Sequence, residues 1–248
     1  MDSFRSSFTW VFGISFIVLM FPITILIWFL GYPFDPERRA VHRWLLFQGR
    51  FLSRTIPIWK LKIEGLEKIS GNHAYVIISN HQSILDIILL NNIRCDFRWV
   101  SKVENFRVPI LGPSMKMAKY ISIERGNKES ALRMMAEAVS SLERNISIMM
   151  FPEGTRSKST TLLPFKTGAF QMALKTDKPI LPVVIDGTGM VLPKKGHRFR
   201  SGNRLVIKVL DPVYPGSFGT GDAEELAAKF RDIIVAGLTG IHLQNSDL

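Results

Sequence analysis

The chain is 248 residues long, 46% of them hydrophobic and 21% charged, enough apolar material for a real core; disordered, collagen-like and small disulfide-built proteins are excluded. A single cysteine, Cys95, rules out an internal disulfide and any CxxC metal or redox site. Thirty-two Lys and Arg against 21 Asp and Glu give +11 at pH 7, with a pI near 9.9 and a mean hydropathy of +0.14; a chain both basic and apolar suits a membrane surface or anionic lipid better than DNA.

Residues Phe8 to Leu30 carry no charged side chain over 23 positions. As a helix the run measures roughly 34 Å, matching a hydrocarbon core of roughly 30 Å. It exceeds the roughly 7–15 apolar residues of a cleaved signal peptide, and it ends in Gly-Tyr-Pro-Phe-Asp rather than at a small-residue site. It also lacks the polar face of an ordinary core helix. Pro22 removes one backbone hydrogen bond mid-segment, so the anchor either kinks across the bilayer or dips into one leaflet. Arg5 alone precedes the run, whereas Arg38, Arg39, Arg43, Arg50 and Arg54 follow it, which places the bulk of the chain on the cytoplasmic side. Pro36 to Trp59 mixes those arginines with Trp44, Leu45, Leu46, Phe47, Phe51 and Leu52, a basic amphipathic helix that either lies at the headgroups or packs on the domain. Residues 1–59 are expected to form the membrane anchor with its amphipathic helix, and residues 60–248 a cytoplasmic domain.

In that domain Ala74–Ser79, Ser147–Phe151 and Ile180–Ile185 are short apolar runs expected to be buried strands, with Phe97–Val100, Tyr120–Ile123 and Leu205–Leu210 as further strands. Lys128–Asn145 predicts a helix with Leu132, Met135, Val139 and Leu142 on one apolar face, and Ala223–Leu238 a second one capped by Asp222. Strands alternating with helices predict an α/β domain.

Two polar blocks follow directly on apolar strands, where α/β proteins present ligand-contacting loops. The first is Asn80-His81-Gln82-Ser83-Ile84-Leu85-Asp86. A helix starting at Ser83 carries Asp86 back towards the His81 ring; a carboxylate on one ring nitrogen fixes the tautomer and stabilises the imidazolium that forms when the other takes a proton. Taken alone, the pair is also compatible with a histidine bonded to a backbone carbonyl. His42, His73, His197 and His242 lack such a context and are read as solvated or locally bonded. The second block is Phe151-Pro152-Glu153-Gly154-Thr155-Arg156-Ser157. Gly154 lets the backbone approach an anion, Arg156 offers a bidentate phosphate contact, and Thr155 and Ser157 add hydroxyls. Ser122-Ile123-Glu124-Arg125-Gly126 sets a second arginine beside a glycine. Either loop alone is equally a turn with its Arg and Glu paired; together they favour an anion site. Between Arg156 and Lys208 eleven Lys and Arg face two acidic residues, a balance of +9, which suits anionic headgroups, coenzyme A or an acidic carrier protein. The sequence holds no G-x-S-x-G, H-E-x-x-H or G-x4-GK[ST], and Asp186-Gly187-Thr188-Gly189 lacks the third glycine of a dinucleotide loop.

N-H-x4-D, S-I-E-R-G, F-P-E-G-T-R-S and the apolar Ile180–Ile185 with Pro182, in this order and spacing, resemble the four blocks of the glycerolipid acyltransferase family, and within it those of the 1-acylglycerol-3-phosphate (lysophosphatidate) acyltransferases. The resemblance runs from Ala74 to Ile185. It implies an α/β fold with a mixed sheet flanked by helices, and a reaction in which His81 is the general base on the acceptor hydroxyl with Asp86 as its partner. It assigns Arg125 and Arg156 to the acceptor's phosphate, Glu153, Gly154 and Thr155 to the acceptor pocket, and Lys102 to the neighbourhood of the phosphate. Ile84-Leu85 stands where related sequences often carry bulkier or smaller residues. The implied reaction acylates the sn-2 hydroxyl of lysophosphatidate to give phosphatidate for phospholipid synthesis, without a resident cofactor and without an acyl-enzyme. Implied partners are an acyl-CoA or acyl-carrier-protein thioester as co-substrate, lysophosphatidate and membrane phospholipids; nucleic acid is not expected. The implied location is the cytoplasmic face of a bacterial inner membrane. Two rivals stand beside it: an acyltransferase for another lysolipid or for glycerol 3-phosphate, and a non-catalytic membrane-tethered protein that binds lipid or nucleic acid.

Overall fold

Val76–Ser79, a strand with no solvent-exposed residue, is the middle of a seven-stranded sheet in the computed structural model, which describes residues 2–71, 73–157 and 161–246. In chain order the elements are α1 (Asp2–Gly31), α2 (Arg39–Thr55), β1 (Trp59–Glu64), β2 (Val76–Ser79), α3 (Leu85–Leu90), β3 (Phe97–Lys102), α4 (Leu111–Met117), β4 (Ile121–Ile123), α5 (Lys128–Glu143), β5 (Ser147–Met150), α6 (Gly168–Thr176), β6 (Ile180–Asp186), α7 (Thr188–Val191), β7 (Asn203–Val209) and α8 (Ala223–Ser246). The strand order is β1-β7-β6-β2-β5-β3-β4. Every pair is parallel except β6 with β7, so the sheet is mixed, as expected.

A central strand covered on both sides must be apolar on both faces. Tyr75 and Ile77 point into one core layer, with Leu46 and Leu52 of α2 and Leu85 and Leu89 of α3. Val76 and Ile78 point into the other, beneath α5, α6 and α8. The register sets Ile77 between Met149 of β5 and Leu181 of β6, which brings the C-terminal ends of these parallel strands to one rim.

Two expectations change. Lys60, Lys62 and Glu64 alternate with Trp59, Leu61 and Ile63 to make β1, a half-wet edge strand not anticipated from the sequence. Leu132, expected on the buried face of α5, is 71% exposed, because the helix turns the Met134, Ala138 and Leu142 row to the sheet instead. Asp222 caps α8 as expected, its carboxylate accepting from the Glu224 N–H at 2.9 Å.

α1 runs unbroken through Pro22, and the most apolar 18-residue window within Ser3–Gly31 has a mean hydropathy of 2.5. It touches the rest of the chain along much of its length. Ser6 Oγ accepts from the Phe199 N–H at 3.0 Å, and Trp10 Nε1 donates to the His197 carbonyl at 2.8 Å. Phe16 stacks on Phe51 of α2 at 4.8 Å, and Thr24 Oγ1 accepts from Trp44 Nε1 at 3.1 Å. The outer face leaves Phe4, Val11, Leu19, Leu26 and Phe29 open. α2 packs on the domain through Val41, His42, Leu46 and Leu52, while Arg43, Phe47 and Arg54 stay outward.

Candidate active site

The site is built at the ends of β2, β5, β3 and β4. Where β2 stops, the Asn80 amide donates to the Ile185 carbonyl at 2.8 Å and accepts from the Ile185 N–H at 2.9 Å, clamping the strand end to β6. The chain then turns through His81 and Gln82 into α3, whose first turn carries Asp86. Asp86 is fully buried. Its Oδ2 accepts from His81 Nδ1 at 2.8 Å and from the N–H groups of Gln82 and Ser83 at 2.7 and 2.9 Å. The helix begins at Leu85 rather than at the expected Ser83, and its first turn still carries Asp86 back to the His81 ring. Ser83 is in turn tied by its hydroxyl to the Leu192 carbonyl at 2.7 Å.

The loop after β5 holds His81 from two sides. Glu153 Oε1 accepts from the His81 N–H at 2.8 Å, and the Ser157 N–H donates to the His81 carbonyl at 2.8 Å. Phe151 lies flat on the imidazole, with ring centroids 3.9 Å apart and planes 9° apart. The other Glu153 oxygen accepts from the Leu163 N–H at 2.9 Å. With 4% exposure and both oxygens taken by backbone, Glu153 braces the loop behind the cavity and does not line it. Burial pushes its carboxyl up, and the two backbone bonds oppose that shift.

A cavity of about 1000 Å³ opens in front of His81. Lys102, at the end of β3, and Arg125, just past β4, both line it, as does Gly154. The pairing of Lys102 with Ile123 sets these two cations on neighbouring strand ends. Lys102 also pairs with Glu104 at 2.7 Å. The cavity continues between α1, α2 and α3 along Ile17, Leu45, Leu52 and Ile88, an apolar arm suited to a hydrocarbon chain.

Thr155 and Arg156 are not among the residues that line this cavity. Lys194 Nζ instead donates to Thr155 Oγ1 at 3.1 Å and to the Arg156 carbonyl at 2.5 Å. Phe151, Ser157 as a backbone clamp, Lys194 and the cavity-lining Lys166 were not assigned these positions from sequence. The clamps carry no spacing signal, because their partners lie far along the chain. His42, read as solvated or locally bonded, is fully buried between Tyr120 and the Phe97 N–H. Among the described residues no group of three His, Cys, Asp or Glu side chains is placed to hold a metal.

Comparison with known proteins gives consistent matches. Residues 60–186 match the family model described as Acyltransferase. The chain is 32% identical over 212 residues to a chloroplastic 1-acyl-sn-glycerol-3-phosphate acyltransferase of Brassica napus, covering 84% of this chain and 60% of that one. It is 35% identical over 192 residues to the 1-acyl-sn-glycerol-3-phosphate acyltransferase of Escherichia coli strain K12, covering 75% and 76% respectively. The chain thus spans about three-fifths of the Brassica protein, and 54% of a similar chloroplastic enzyme of Arabidopsis thaliana. In fold it is similar to the crystal structure of the 1-acyl-sn-glycerophosphate acyltransferase of Thermotoga maritima, with a TM-score of 0.83 at 24% identity over 97% of this chain and 96% of that one.

Proposed function

The chain belongs to the acyltransferase family that includes the 1-acyl-sn-glycerol-3-phosphate acyltransferases, and from that membership we propose that it moves an acyl group from a thioester to the sn-2 hydroxyl of lysophosphatidate, giving phosphatidate for phospholipid synthesis. The observation that carries this reading is the His81–Asp86 pair at 2.8 Å on a cavity that is cationic at one end and apolar at the other. Asp86 holds Nδ1 as the donor, which leaves Nε2 as the basic nitrogen. Nε2 takes the proton of the acceptor hydroxyl as its oxygen bonds to the thioester carbonyl carbon. The tetrahedral adduct then collapses, the carbon–sulfur bond breaks, and the imidazolium returns its proton to the departing thiolate. The thiol is that of coenzyme A or of an acyl carrier protein. Because the thioester is already activated, no nucleophile on the protein is needed. Cys95 is unsuited to that part, since burial and neighbouring Asp96 push its thiol up to about 12.

The membrane is the source of the acceptor in this reading. α1 is tied to the domain at Ser6, Trp10, Phe16 and Thr24, contacts that hold it alongside the domain rather than away from it. We place its open apolar face in one leaflet on the cytoplasmic side, with Trp10, Ile17 and Thr24 lining the cavity that leads to His81.

The test is acyl transfer by the full chain in lipid vesicles, with labelled lysophosphatidate and either acyl-CoA or acyl-carrier-protein thioester. His81→Ala should lower turnover by about 10²–10⁴-fold, the range of general-base catalysis, while acceptor binding persists. Equal turnover in the variant would remove His81 from the base position. Product from glycerol 3-phosphate and none from lysophosphatidate would reassign the acceptor.

A further inference from the structure

Leu45, Gln48 and Leu52 stand at helical spacing on α2 and all line the cavity, so an amide interrupts an apolar stripe. Gln48 is 7% exposed. Its Nε2 makes one long hydrogen bond, to Thr24 Oγ1 of α1 at 3.5 Å, and its Oε1 has no partner among the described residues. The Thr24 hydroxyl is already engaged, donating to the Met20 carbonyl and accepting from Trp44 Nε1, both at 3.1 Å. The Gln48 amide is therefore left with its acceptor free, in the arm that Ile17, Leu45, Leu52 and Ile88 make apolar.

A second amide meets it there. Asn91 follows the last turn of α3 and lines the same cavity, and its side chain makes no hydrogen bond among the described residues. It rests on Gly49, the neighbour of Gln48. A Cβ at Gly49 would sit 1.9 Å from Asn91 Nδ2 and 2.7 Å from its Cγ, so only glycine fits while the amide keeps its place. Glycine is a poor helix former, and α2 nevertheless holds one in its interior where the Asn91 amide is seated. Buried polar groups are nearly always paired, because leaving them unpaired is unfavourable. Two open amides, brought from two helices to one apolar arm, point to a ligand that carries an oxygen.

Resting on the acyl transfer proposed above, we propose that this arm takes a hydrocarbon chain bearing a hydroxyl group in mid-chain. The hydroxyl donates to Gln48 Oε1 and accepts from Asn91 Nδ2, using both of its capacities. Its place along the chain follows from α3. His81 precedes that helix and Asn91 follows it, with six helical residues between them, about 9 Å of rise. A hydroxyl beside a carbonyl reacting at His81 stays short of the amides, whereas one several methylenes further on reaches them. An unsubstituted chain lays methylenes against both amides and offers them nothing in place of water. A site built to bond a hydroxyl discriminates against the analogue that lacks it. The hydroxyl can enter on the acyl chain of the thioester or on the chain already carried by lysophosphatidate.

The experiment uses the full chain in detergent micelles. The probes are acyl-CoA thioesters of one length, unsubstituted, hydroxylated beside the carbonyl or hydroxylated in mid-chain, and lysophosphatidates bearing the same three chains. Binding of each is read on a His81→Ala background without the second substrate, and kcat/KM on the wild-type background. The mid-chain hydroxyl should tighten binding about 3- to 10-fold over both controls, the yield of a net hydrogen bond. Whether the thioester or the lysophosphatidate shows the gain identifies the chain that fills the arm. Gln48→Met, close in size, and Asn91→Ala, on a different helix, should each abolish the preference and leave the unsubstituted chain bound as before; thermal melting checks that both variants fold. Equal binding of all three chains by the protein with Gln48 and Asn91 intact would overturn the proposal and leave the niche to water. A preference for the hydroxyl beside the carbonyl would overturn its placement. Equal loss for every chain in both variants would also overturn it, making the amides a support between α2 and α3. If the mid-chain hydroxyl binds in a Gln48-dependent way but no acyl group is transferred, the niche stands and the reaction assigned to the site falls.

Discussion

His81 is fixed at its peptide N–H, its carbonyl, its Nδ1 and one ring face, by Glu153, Ser157, Asp86 and Phe151. For the general base proposed above, such immobility matters, because a base acts only within hydrogen-bond reach of the proton it removes and small displacements are amplified in rate. Phe151 is the one of these four that makes no hydrogen bond to the histidine, so its contribution can be isolated. Phe151→Leu keeps an apolar neighbour but removes the flat surface at 3.9 Å. The expected outcome is a fall in kcat of about 10-fold with the KM for lysophosphatidate unchanged, measured by initial rates in vesicles. A change in KM alone would mean that Phe151 shapes the acceptor pocket rather than the base.

At the level of elements, His42 ties α2 to the start of β3 and to the residue before β4. Its Nε2 accepts from the Phe97 N–H at 3.3 Å and its Nδ1 meets the Tyr120 hydroxyl at 3.0 Å. Arg98, Arg50 and Arg43 are the nearby cations, and Asp96 lies 3.8 Å from Nε2. Burial first, then Arg98, holds the imidazole well below its ordinary 6.5. Below pH 6.5 the unfolded chain binds a proton here that the folded chain refuses. Stability therefore falls as the pH drops from 6.5 towards the folded value, with a limiting slope of about 1.4 kcal/mol per pH unit from this group. Denaturant melts of wild type and His42→Gln between pH 5 and pH 8, an interval set by the ordinary histidine value of about 6.5, check this. The wild type should lose stability on acidification, and the glutamine variant should lack that part of the slope.

For the whole molecule, the open face of α1 is the surface we have proposed to meet lipid. Leu19 and Leu26 are 67% and 54% exposed, and a charge in hydrocarbon costs about 2.5–3.5 kcal/mol. Replacing both by Glu should cut vesicle binding in a flotation assay by at least about 10-fold, while transfer to a short-chain acceptor in micelles continues. Unchanged flotation would place another surface in the membrane. The apolar run behind this prediction was fully legible in the sequence, since charge-free length needs no tertiary information. The strands β2, β5 and β6 were legible for a similar reason: a strand covered on both faces writes an unbroken apolar run. His81 with Asp86 was also legible, because both belong to one turn. The order of strands was not, since periodicity does not name neighbours. Nor were the positions of Glu153, Arg156 and Lys166, which depend on a return of the chain onto the β5 loop.

The grip on the His81 peptide joins residues 72 and 76 positions apart, and this has a temporal side. As the chain is synthesised, α1 emerges before the segments that grip His81, and its apolar surface is complete while they are still to come. The contacts that hold the His81 peptide cannot form until Glu153, Ser157 and the segment around Leu163 have followed. On the function proposed above, a surface able to meet lipid would thus exist before the reactive centre does, and attachment would precede chemical competence.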